Sequence, residues 1–332
     1  MSDPANFSAR LPLKVGLVGT GYAAKLRAET LQTDPRSHLV VVAGHTKQKT
    51  EEFCQTYQTE ALLDWRQLVA REDLDLVIIS SVNSEHGAIA HAALENNKHV
   101  VVEYPLSLDP AEAAELINLA QRKSKLLHVE HIELLGGLHQ ALKKWLSEIG
   151  TPFYARYATI NPQQPAPRKW TYNSKLFGFP LIAALSRLHR LTDLFGKVAS
   201  VSCQSQFWSN ESEYYTACLC TAQLRFTNGL IAEVTYGKGE TFWQPTRPFE
   251  VYGDRGCLIF NGDEGQLIRG EEKKPIEVGS RRGLFAKETA MVLDYLLEGK
   301  PLYVTPDASL YTLKVADAAR RSSATGETIE II

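Results

Sequence analysis

The segment at residues 15–24, Val-Gly-Leu-Val-Gly-Thr-Gly-Tyr-Ala-Ala, constrains the fold more than any other part of the chain. Its apolar residues predict a buried strand that ends at Gly19, and a helical pattern begins near Ala23. Gly19, Gly21 and Ala24 form a G-x-G-x-x-A motif between strand and helix, which is typical of a dinucleotide-binding turn. Gly19 permits the tight turn, Gly21 lets the backbone approach a pyrophosphate, and the first amides of the helix face the phosphates.

Length and composition limit the other possibilities. A chain of 332 residues is long enough for two domains, and its net charge of −2 gives no electrostatic reason to expect a nucleic-acid or membrane partner. The five cysteines are scattered without a Cys-x-x-Cys pair, so we predict no metal site and no disulfide framework. No apolar run approaches the length of a membrane span, and residues 1–11 lack the apolar core of a signal peptide. These features predict a cytoplasmic protein.

Strand and helix patterns alternate through the first half of the chain. The predicted strands lie at residues 38–43, 74–80, 98–102 and 126–129, and the predicted helices lie at 25–32, 50–56, up to 96, and 110–123. This alternation predicts an α/β domain with a doubly wound parallel sheet, in which ligands bind beyond the carboxyl ends of the strands. The loops at Gly19, Thr46, Ser81 and Tyr104 should therefore line one crevice.

The residues after the second predicted strand indicate which cofactor is preferred. An acid that binds the ribose of NAD is expected there, but the chain continues with Gly44-His45-Thr46-Lys47. A hydroxyl and a lysine would accept the 2′-phosphate of NADP instead. We therefore predict NADPH as cofactor, with NADH less favoured, bound here by Thr46 and Lys47. Lys49 is equally consistent with a solvated basic turn.

The second half has strand patterns of the antiparallel kind. They lie at residues 152–160, 199–208, 217–226, 230–236, 249–252 and 257–260. Asn228-Gly229 is a strong hairpin signal, and helices are predicted at 181–195, 286–297 and 308–322. We expect an α+β domain with a large open antiparallel sheet.

These patterns predict three regions of the chain. A flexible N-terminal segment occupies residues 1–12, a dinucleotide-binding Rossmann domain occupies 13–130, and a C-terminal substrate domain occupies 131–332.

The stretch His128-Val129-Glu130-His131-Ile132-Glu133 has the composition of a metal cluster. Strand alternation would separate it into His128 and Glu130 on one face and His131 and Glu133 on the other. A single metal ion is therefore not expected. Either one polar set points into the crevice, or these residues are hydrogen-bonded polar groups at the end of a strand.

The chain resembles the Gfo/Idh/MocA oxidoreductases from about Leu13 onward. The matches are Gly19-Thr20-Gly21, the Asn83…His86 segment, and Glu103-Tyr104-Pro105, where the family usually has Glu-Lys-Pro. The sugar dehydrogenases of that family use this lysine and a downstream Asp…His pair. Tyr104 replaces the lysine, and Ile182 and Ser186 stand where the pair is expected, so the base that oxidises an alcohol is missing.

A narrower resemblance is to the biliverdin reductases within that family, and most of all to their cyanobacterial form. It is carried by Glu-Tyr-Pro, by Ser186-Arg187, and by segments at residues 128–135, 153–157, 168–172, 177–180 and 279–285. The resemblance implies hydride transfer from NADPH to the central bridging carbon of biliverdin, which yields bilirubin. It implies a small-molecule substrate and leaves the oligomeric state open.

The resemblance assigns candidate roles to individual residues. Arg187 and Tyr104 are the catalytic candidates, although Arg187 could instead pair with Asp193 and Tyr104 could be an aromatic shelf. The substrate-binding candidates are Arg187, Arg190, Glu130, His131 and Tyr104. The cofactor-binding candidates are Gly19, Thr20, Gly21, Tyr22, Ala23, Ala24, Thr46, Lys47, Ser80, Ser81, Val82, Asn83, His86, Glu103 and Tyr104.

Two other functions are compatible with the same sequence. One is a reductase of the same fold that acts on an imine or a carbonyl group. The other is a dinucleotide-binding sensor without turnover. The glycine motif alone does not separate a sensor from an enzyme, whereas the pair Arg187 and Tyr104 favours an enzyme.

Overall fold

A computed structural model describes residues 11–209 and 213–331, and these divide into two compact units. The first unit runs up to Ile132 and includes Gly283–Leu310, and the second comprises Glu133–Arg282 and continues from Tyr311. Residues 1–10 of the predicted flexible segment lie outside the described part. The predicted three-region division stays a prediction, but the compact units differ from it in that Gly283–Leu310 belongs with the first half of the chain.

The first unit is built on a six-stranded sheet whose pairs are all parallel, in the order β3-β2-β1-β4-β5-β6. The strands are β1 (Leu13–Val18), β2 (Ser37–Ala43), β3 (Glu60–Leu62), β4 (Leu76–Ile79), β5 (His99–Val102) and β6 (Leu127–Val129). The helices are α1 (Tyr22–Thr33), α2 (Lys47–Tyr57), α3 (Trp65–Val69), α4 (His86–Glu95), α5 (Pro110–Arg122) and α10 (Leu284–Glu298). The predicted doubly wound parallel sheet is thereby confirmed.

Burial explains why these strands read as continuous apolar runs. All four residues of β4 and all four of β5 are buried, as expected for parallel strands covered on both faces. Local signals fix the helices around them: Asp109 accepts a hydrogen bond from the amide of Ala111 at 2.9 Å and caps α5, whose first residue is Pro110. Val292 and Leu293 of α10 join the same apolar core.

The second unit is built on a nine-stranded sheet in the order β14-β13-β12-β11-β7-β10-β9-β8-β15. The strands are β7 (Pro152–Pro162), β8 (Val198–Trp208), β9 (Ala217–Phe226), β10 (Ile231–Gly239), β11 (Pro248–Gly253), β12 (Gly256–Asn261), β13 (Glu264–Arg269), β14 (Glu272–Glu277) and β15 (Ile329–Glu330). Most pairs are antiparallel, as predicted, and β9 and β10 form the hairpin expected at Asn228-Gly229. The pair β7–β10 is parallel, so the sheet is mixed but mostly antiparallel.

The helices of this unit are α6 (Gly137–Trp145), α7 (Ser174–Phe177), α8 (Pro180–Ala183), α9 (Ser186–Phe195) and most of α11 (Pro306–Thr325). A single helix over residues 181–195 was predicted, and that prediction is wrong. The helix is interrupted because Ala184 has a ψ of 39°, outside the helical range. Within residues 11–209 and 213–331, we find no helix that is both long enough and apolar enough to cross a bilayer.

Candidate cofactor and substrate sites

Gly19 ends β1 in a backbone conformation that a side chain would not tolerate. Its φ is +119°, and a Cβ atom there would lie 2.2 Å from the carbonyl oxygen of Ser80. The amide of Gly19 donates to the carbonyl oxygen of Ala43 at 2.8 Å. The amide of Ser80 donates to the carbonyl oxygen of Val18 at 2.7 Å. The glycine turn is therefore held at the carboxyl ends of β1, β2 and β4. The start of α1 follows directly, with Gly21 as its N-cap.

Gly19→Ala is expected to destabilise the first unit by about 3 kcal/mol, because the left-handed φ and the overlap with a backbone oxygen both have to be relieved. The measurement is urea unfolding followed by circular dichroism. Gly21→Ala is the matched control, since Gly21 has a φ of −83° and a Cβ there would meet no atom within 4 Å. Equal stability of the two variants would contradict this account of the turn.

A crevice of about 310 Å³, part of it open to solvent, lies beside this turn. It is lined by Val18, Gly19, Thr20, Ala43, Gly44, His45, Leu63, Trp65 and Ser81. The predicted meeting of the Gly19 and Ser81 loops is therefore observed. Thr46 and Tyr104 are not among the lining residues, so the prediction that all four loops line one crevice needs that correction. Leu63 and Trp65 add an apolar wall that the sequence reading did not identify.

Thr46 and Lys47 stand at the start of α2, next to His45 in the crevice. Thr46 is the N-cap residue of α2, and the side chain of Lys47 is 73% exposed. Lys47 approaches Glu51 no closer than 3.9 Å, an exposed contact of little energetic value. Both residues are therefore available to an anion at this helix N-terminus.

The segment between Ser80 and His86 is arranged by a buried imidazole. Nδ1 of His86 lies 2.8 Å from the carbonyl oxygen of Pro105, and Nε2 lies 3.2 Å from that of Ser81. Burial lowers the pKa of His86, so the ring stays neutral. A neutral ring donates to only one of these two carbonyl oxygens, and the other ring nitrogen lies next to the second. The prediction that His86 binds the cofactor stays a prediction. Asn83 is also buried, whereas Ser80, Ser81 and Val82 are half-buried.

Tyr104 follows the end of β5 and stacks on His131, which follows the end of β6. The two rings are nearly parallel, at 3°, with centroids 5.4 Å apart. Nε2 of His131 lies 2.8 Å from Oγ of Ser309, and its amide donates to the hydroxyl of Tyr303 at 2.8 Å. Tyr104 and His131 therefore form one rigid aromatic pair at the carboxyl ends of neighbouring strands.

A buried ionic network is connected to this pair through the hydroxyl of Tyr303. The guanidinium of Arg27 on α1 contacts Glu103 at 3.0 Å and also Glu288 of α10. Glu288 accepts from His128 at 2.8 Å and from the hydroxyl of Tyr303 at 3.0 Å. Burial opposes ionisation of Glu288, but Arg27 and His128 together lower its pKa to about 2. The network therefore ties α1, β5, β6 and α10 together.

Glu130 differs from Glu288 in the direction of its pKa shift. Burial, and then the charges of Glu103 and Glu288, raise the pKa of Glu130 well above its usual value. Its Oε1 accepts a hydrogen bond from the amide of Ile132 at 2.5 Å. The strand alternation predicted for this stretch is wrong beyond Val129, because β6 ends there and the chain turns.

A second cavity, of about 630 Å³ including its open part, lies in the second unit. It is lined by Glu133, Gly136, Gly137, Leu138, Tyr157, Thr159, Arg187, Arg190, Arg247, Gly262, Asp263, Val278, Gly279 and Arg281. Its volume is within the range of small-molecule sites. Four of the lining residues are arginines, which indicates a ligand with negative charge.

Arg187 and Arg190 reach this cavity from α9, three residues apart and therefore on one side of the helix. Nη1 of Arg187 donates to Oγ of Ser186 at 2.8 Å, and its guanidinium lies 5.6 Å from the ring centroid of Tyr236. Asp193, the alternative partner considered for Arg187, contacts His139 at 2.6 Å and Lys143 at 2.7 Å.

The candidate residues thus fall into two groups. The cofactor candidates, with Tyr104, Glu130 and His131, belong to the first unit, and Arg187 and Arg190 belong to the second. Tyr22 is 78% exposed, Ala23 is half-buried and Ala24 is fully buried. Sequence reading missed Arg247 and Asp263, which have no motif around them, and it named Glu133 only as one member of the cluster at residues 128–133.

A parallel sheet with a glycine turn and a crevice at its strand ends defines the class of dinucleotide-binding Rossmann proteins. Within that class, the chain belongs to the Gfo/Idh/MocA oxidoreductase family. Residues 13–131 match its NAD-binding Rossmann fold, and residues 143–331 match its C-terminal alpha/beta domain.

Individual relatives narrow the comparison. This chain is 54% identical in sequence to biliverdin reductase from Synechocystis sp. PCC 6803, whose crystal structure is a complex with biliverdin and NADP+. The two structures superpose with a TM-score of 0.93, over 94% of this chain and 99% of that one. Human biliverdin reductase A is 30% identical over 62% of this chain and 66% of the human protein. A dTDP-3,4-didehydro-2,6-dideoxy-alpha-D-glucose 3-reductase from Saccharopolyspora spinosa is 32% identical over 42% of this chain and 43% of that protein. The chain therefore matches less than two thirds of the length of these two curated relatives.

Proposed function

We propose that this protein reduces biliverdin to bilirubin with NADPH, by hydride transfer to the central bridging carbon. The observation that carries the proposal is the similarity to the Synechocystis enzyme, whose structure contains biliverdin and NADP+. That similarity spans nearly the whole of both chains, so it includes both the crevice and the arginine-lined cavity. The protein would then be an oxidoreductase that acts on a CH–CH bond.

The first unit supplies the features that NADPH requires. Gly19 leaves room for a close backbone approach, and the N-terminus of α1 offers free amides to the pyrophosphate. Trp65 and Leu63 form an apolar wall suited to the adenine ring. Thr46 and Lys47 would hold the 2′-phosphate at the start of α2. When bound, NADPH would supply the hydride.

The second unit supplies positive charge for a substrate with two propionates. Arg187 would bind a carboxylate or polarise a relay water, since a guanidinium is permanently protonated and does not readily give up its own proton. The reaction consumes one hydride and one proton, the proton going to the pyrrole nitrogen that becomes electron-rich. Ile182 and Ser186, both buried, offer no base for alcohol oxidation, which agrees with a reductase rather than a sugar dehydrogenase.

Absorbance spectroscopy tests this function directly. Purified protein is mixed with NADPH and biliverdin, and loss of the red biliverdin band is followed against growth of the bilirubin band. Bilirubin formation supports the proposal and excludes a sensor without turnover. If NADPH binds and biliverdin stays unchanged, the protein is either a sensor or a reductase for another substrate.

Lys47→Glu is expected to raise the KM for NADPH about tenfold and to leave the KM for NADH nearly unchanged, because only NADPH carries a 2′-phosphate. The measurement is the initial rate at varied cofactor concentration. Lys123→Glu is the control: it makes the same charge change at the C-terminal end of α5 and should alter neither KM. A similar loss with both cofactors would mean that Lys47 does not contact the phosphate.

A further inference from the structure

The cavity of the second unit contains a carboxylate of the protein itself. Glu133 lies shortly before α6, and its side chain is only 14% exposed. Its Oε2 accepts a hydrogen bond from Nη2 of Arg190 at 2.5 Å, and its Oε1 accepts one from Nη2 of Arg281. A single carboxylate therefore joins two guanidiniums that line the same cavity. A carboxylate of a ligand would be bound in the same manner.

Arg190 has hydrogen-bonding capacity that Glu133 does not use. Its side chain is 3% exposed, and its Nε and Nη1 atoms have no hydrogen-bond partner among the residues that the structure describes. A buried N–H group without an acceptor carries a desolvation cost, which a ligand oxygen would remove. Arg190 lines the cavity, but these two atoms are themselves buried, so a ligand oxygen reaches them only if the side chain shifts.

The charge of the cavity lining fits a ligand with two negative charges. The positive residues are Arg187, Arg190, Arg247 and Arg281, and the negative residues are Glu133 and Asp263. The side chains that line the cavity therefore carry a net charge of +2. Two carboxylates would neutralise this charge. With Glu133 uncharged, three positive charges would remain and the cavity would attract any anion more strongly.

We propose that Glu133 is a specificity-determining residue, which acts as an internal carboxylate between Arg190 and Arg281 and matches the charge of the cavity to a dicarboxylate. The inference rests on the proposed function in taking biliverdin as that dicarboxylate. Glu133 keeps the two arginines in place and limits the positive charge that a ligand meets. Monoanions would leave one charge unpaired, and small inorganic anions would compete poorly with the carboxylate already present.

Glu133→Gln tests this assignment because it keeps the shape of the side chain and removes its charge. The Kd of biliverdin should fall about tenfold, whereas the Kd of its dimethyl ester, which has no carboxylate, should change by no more than about twofold. Both are measured by quenching of tryptophan fluorescence in the full chain. Inorganic sulfate, titrated directly as a second probe in the absence of biliverdin, should bind more tightly to the variant than to the wild type.

Glu148→Gln is the matched control. Glu148 contacts Arg269 at 2.6 Å on the exposed surface of the same unit, and neither residue lines the cavity. The Glu148→Gln variant should bind biliverdin and sulfate with the same affinities as the wild type. If Glu133→Gln fails to fold, Arg281→Gln replaces it, and this variant should bind biliverdin about tenfold more weakly with the ester unaffected.

Two results would overturn the assignment. Equal weakening of biliverdin and ester binding in Glu133→Gln would show that Glu133 only supports the fold. Unchanged binding of biliverdin and sulfate in Glu133→Gln would show that the charge of Glu133 does not affect ligand affinity. Failure of the proposed function has a different signature: the wild type forms no bilirubin with NADPH, and direct sulfate titration then still tests Glu133.

Discussion

Replacing Arg187 with methionine is expected to lower kcat for bilirubin formation by about 10²–10³-fold and to leave the Kd of NADPH unchanged. Arg187 lies on α9 and lines the arginine-rich cavity, whereas the cofactor candidates belong to the first unit. Methionine fills similar volume without a charge or a donor, so the loss reports the guanidinium itself. The measurements are single-turnover absorbance for the reaction and fluorescence titration for NADPH.

Two further variants decide how Arg187 acts. Arg187→Lys keeps the charge but loses the forked donor, so partial activity would indicate that the positive charge is the main contribution. Arg247→Met removes an exposed arginine of the same cavity and should cost less than about tenfold in kcat. If Arg187→Met keeps wild-type turnover, Arg187 is not a catalytic residue and the assignment is wrong.

Replacing Glu288 with glutamine is expected to destabilise the first unit by about 3–5 kcal/mol, because Arg27 would be left as a buried charge without its main partner. Glu288 is 0% exposed and also accepts hydrogen bonds from His128 and Tyr303, so the substitution disturbs three contacts at once. Urea unfolding measures the loss. The control is Glu298→Gln on the same helix, where an exposed pair with Lys300 at 2.7 Å should contribute less than about 1 kcal/mol.

The stabilities of the wild type and of Glu288→Gln should depend differently on pH. The pKa of Glu288 is about 2 in the folded protein, below the usual carboxyl value, because Arg27 and His128 outweigh the effect of burial. Its contribution is therefore present above about pH 4.5 and is lost as the pH falls toward 2. Glu130 acts in the opposite direction, because a carboxyl with a raised pKa costs stability as the pH rises above about 4.5. The stability difference between wild type and Glu288→Gln should shrink as the pH falls, and a constant difference would contradict this reasoning.

Sequence reasoning located most of the fold because its signals are local. The alternation of strands and helices, the glycine turn at Gly19 and the hairpin at Asn228-Gly229 all depend on neighbours in the chain. The parallel pairing of β7 with β10 has no such signal, since an apolar alternation does not specify its partner strand. The break between α8 and α9 was missed for a related reason: no proline or glycine marks Ala184.

The candidate sites were predictable only in part. Arg187 could be chosen from the sequence because it stands beside a recognisable family position. The buried network joins Arg27 to Glu288 across most of the chain, and only folding brings such residues together. Glu133 was read as one member of a strand-end cluster, because its partners Arg190 and Arg281 lie far away in sequence. Long-range charge pairing therefore accounts for what the sequence did not reveal.

The position of β7 has a consequence for biosynthesis. β7 lies between β10 and β11, both of which come much later in the chain. During translation it therefore emerges from the ribosome before either neighbour, with both hydrogen-bonding edges unpaired. The hairpins β8–β9–β10 and β11–β14 can form as they are made, but β7 must wait until both are available. Among the strands of the second unit, β7 thus remains unpaired on both edges for the longest stretch of synthesis, so co-translational chaperones that cover exposed strand edges should act on it.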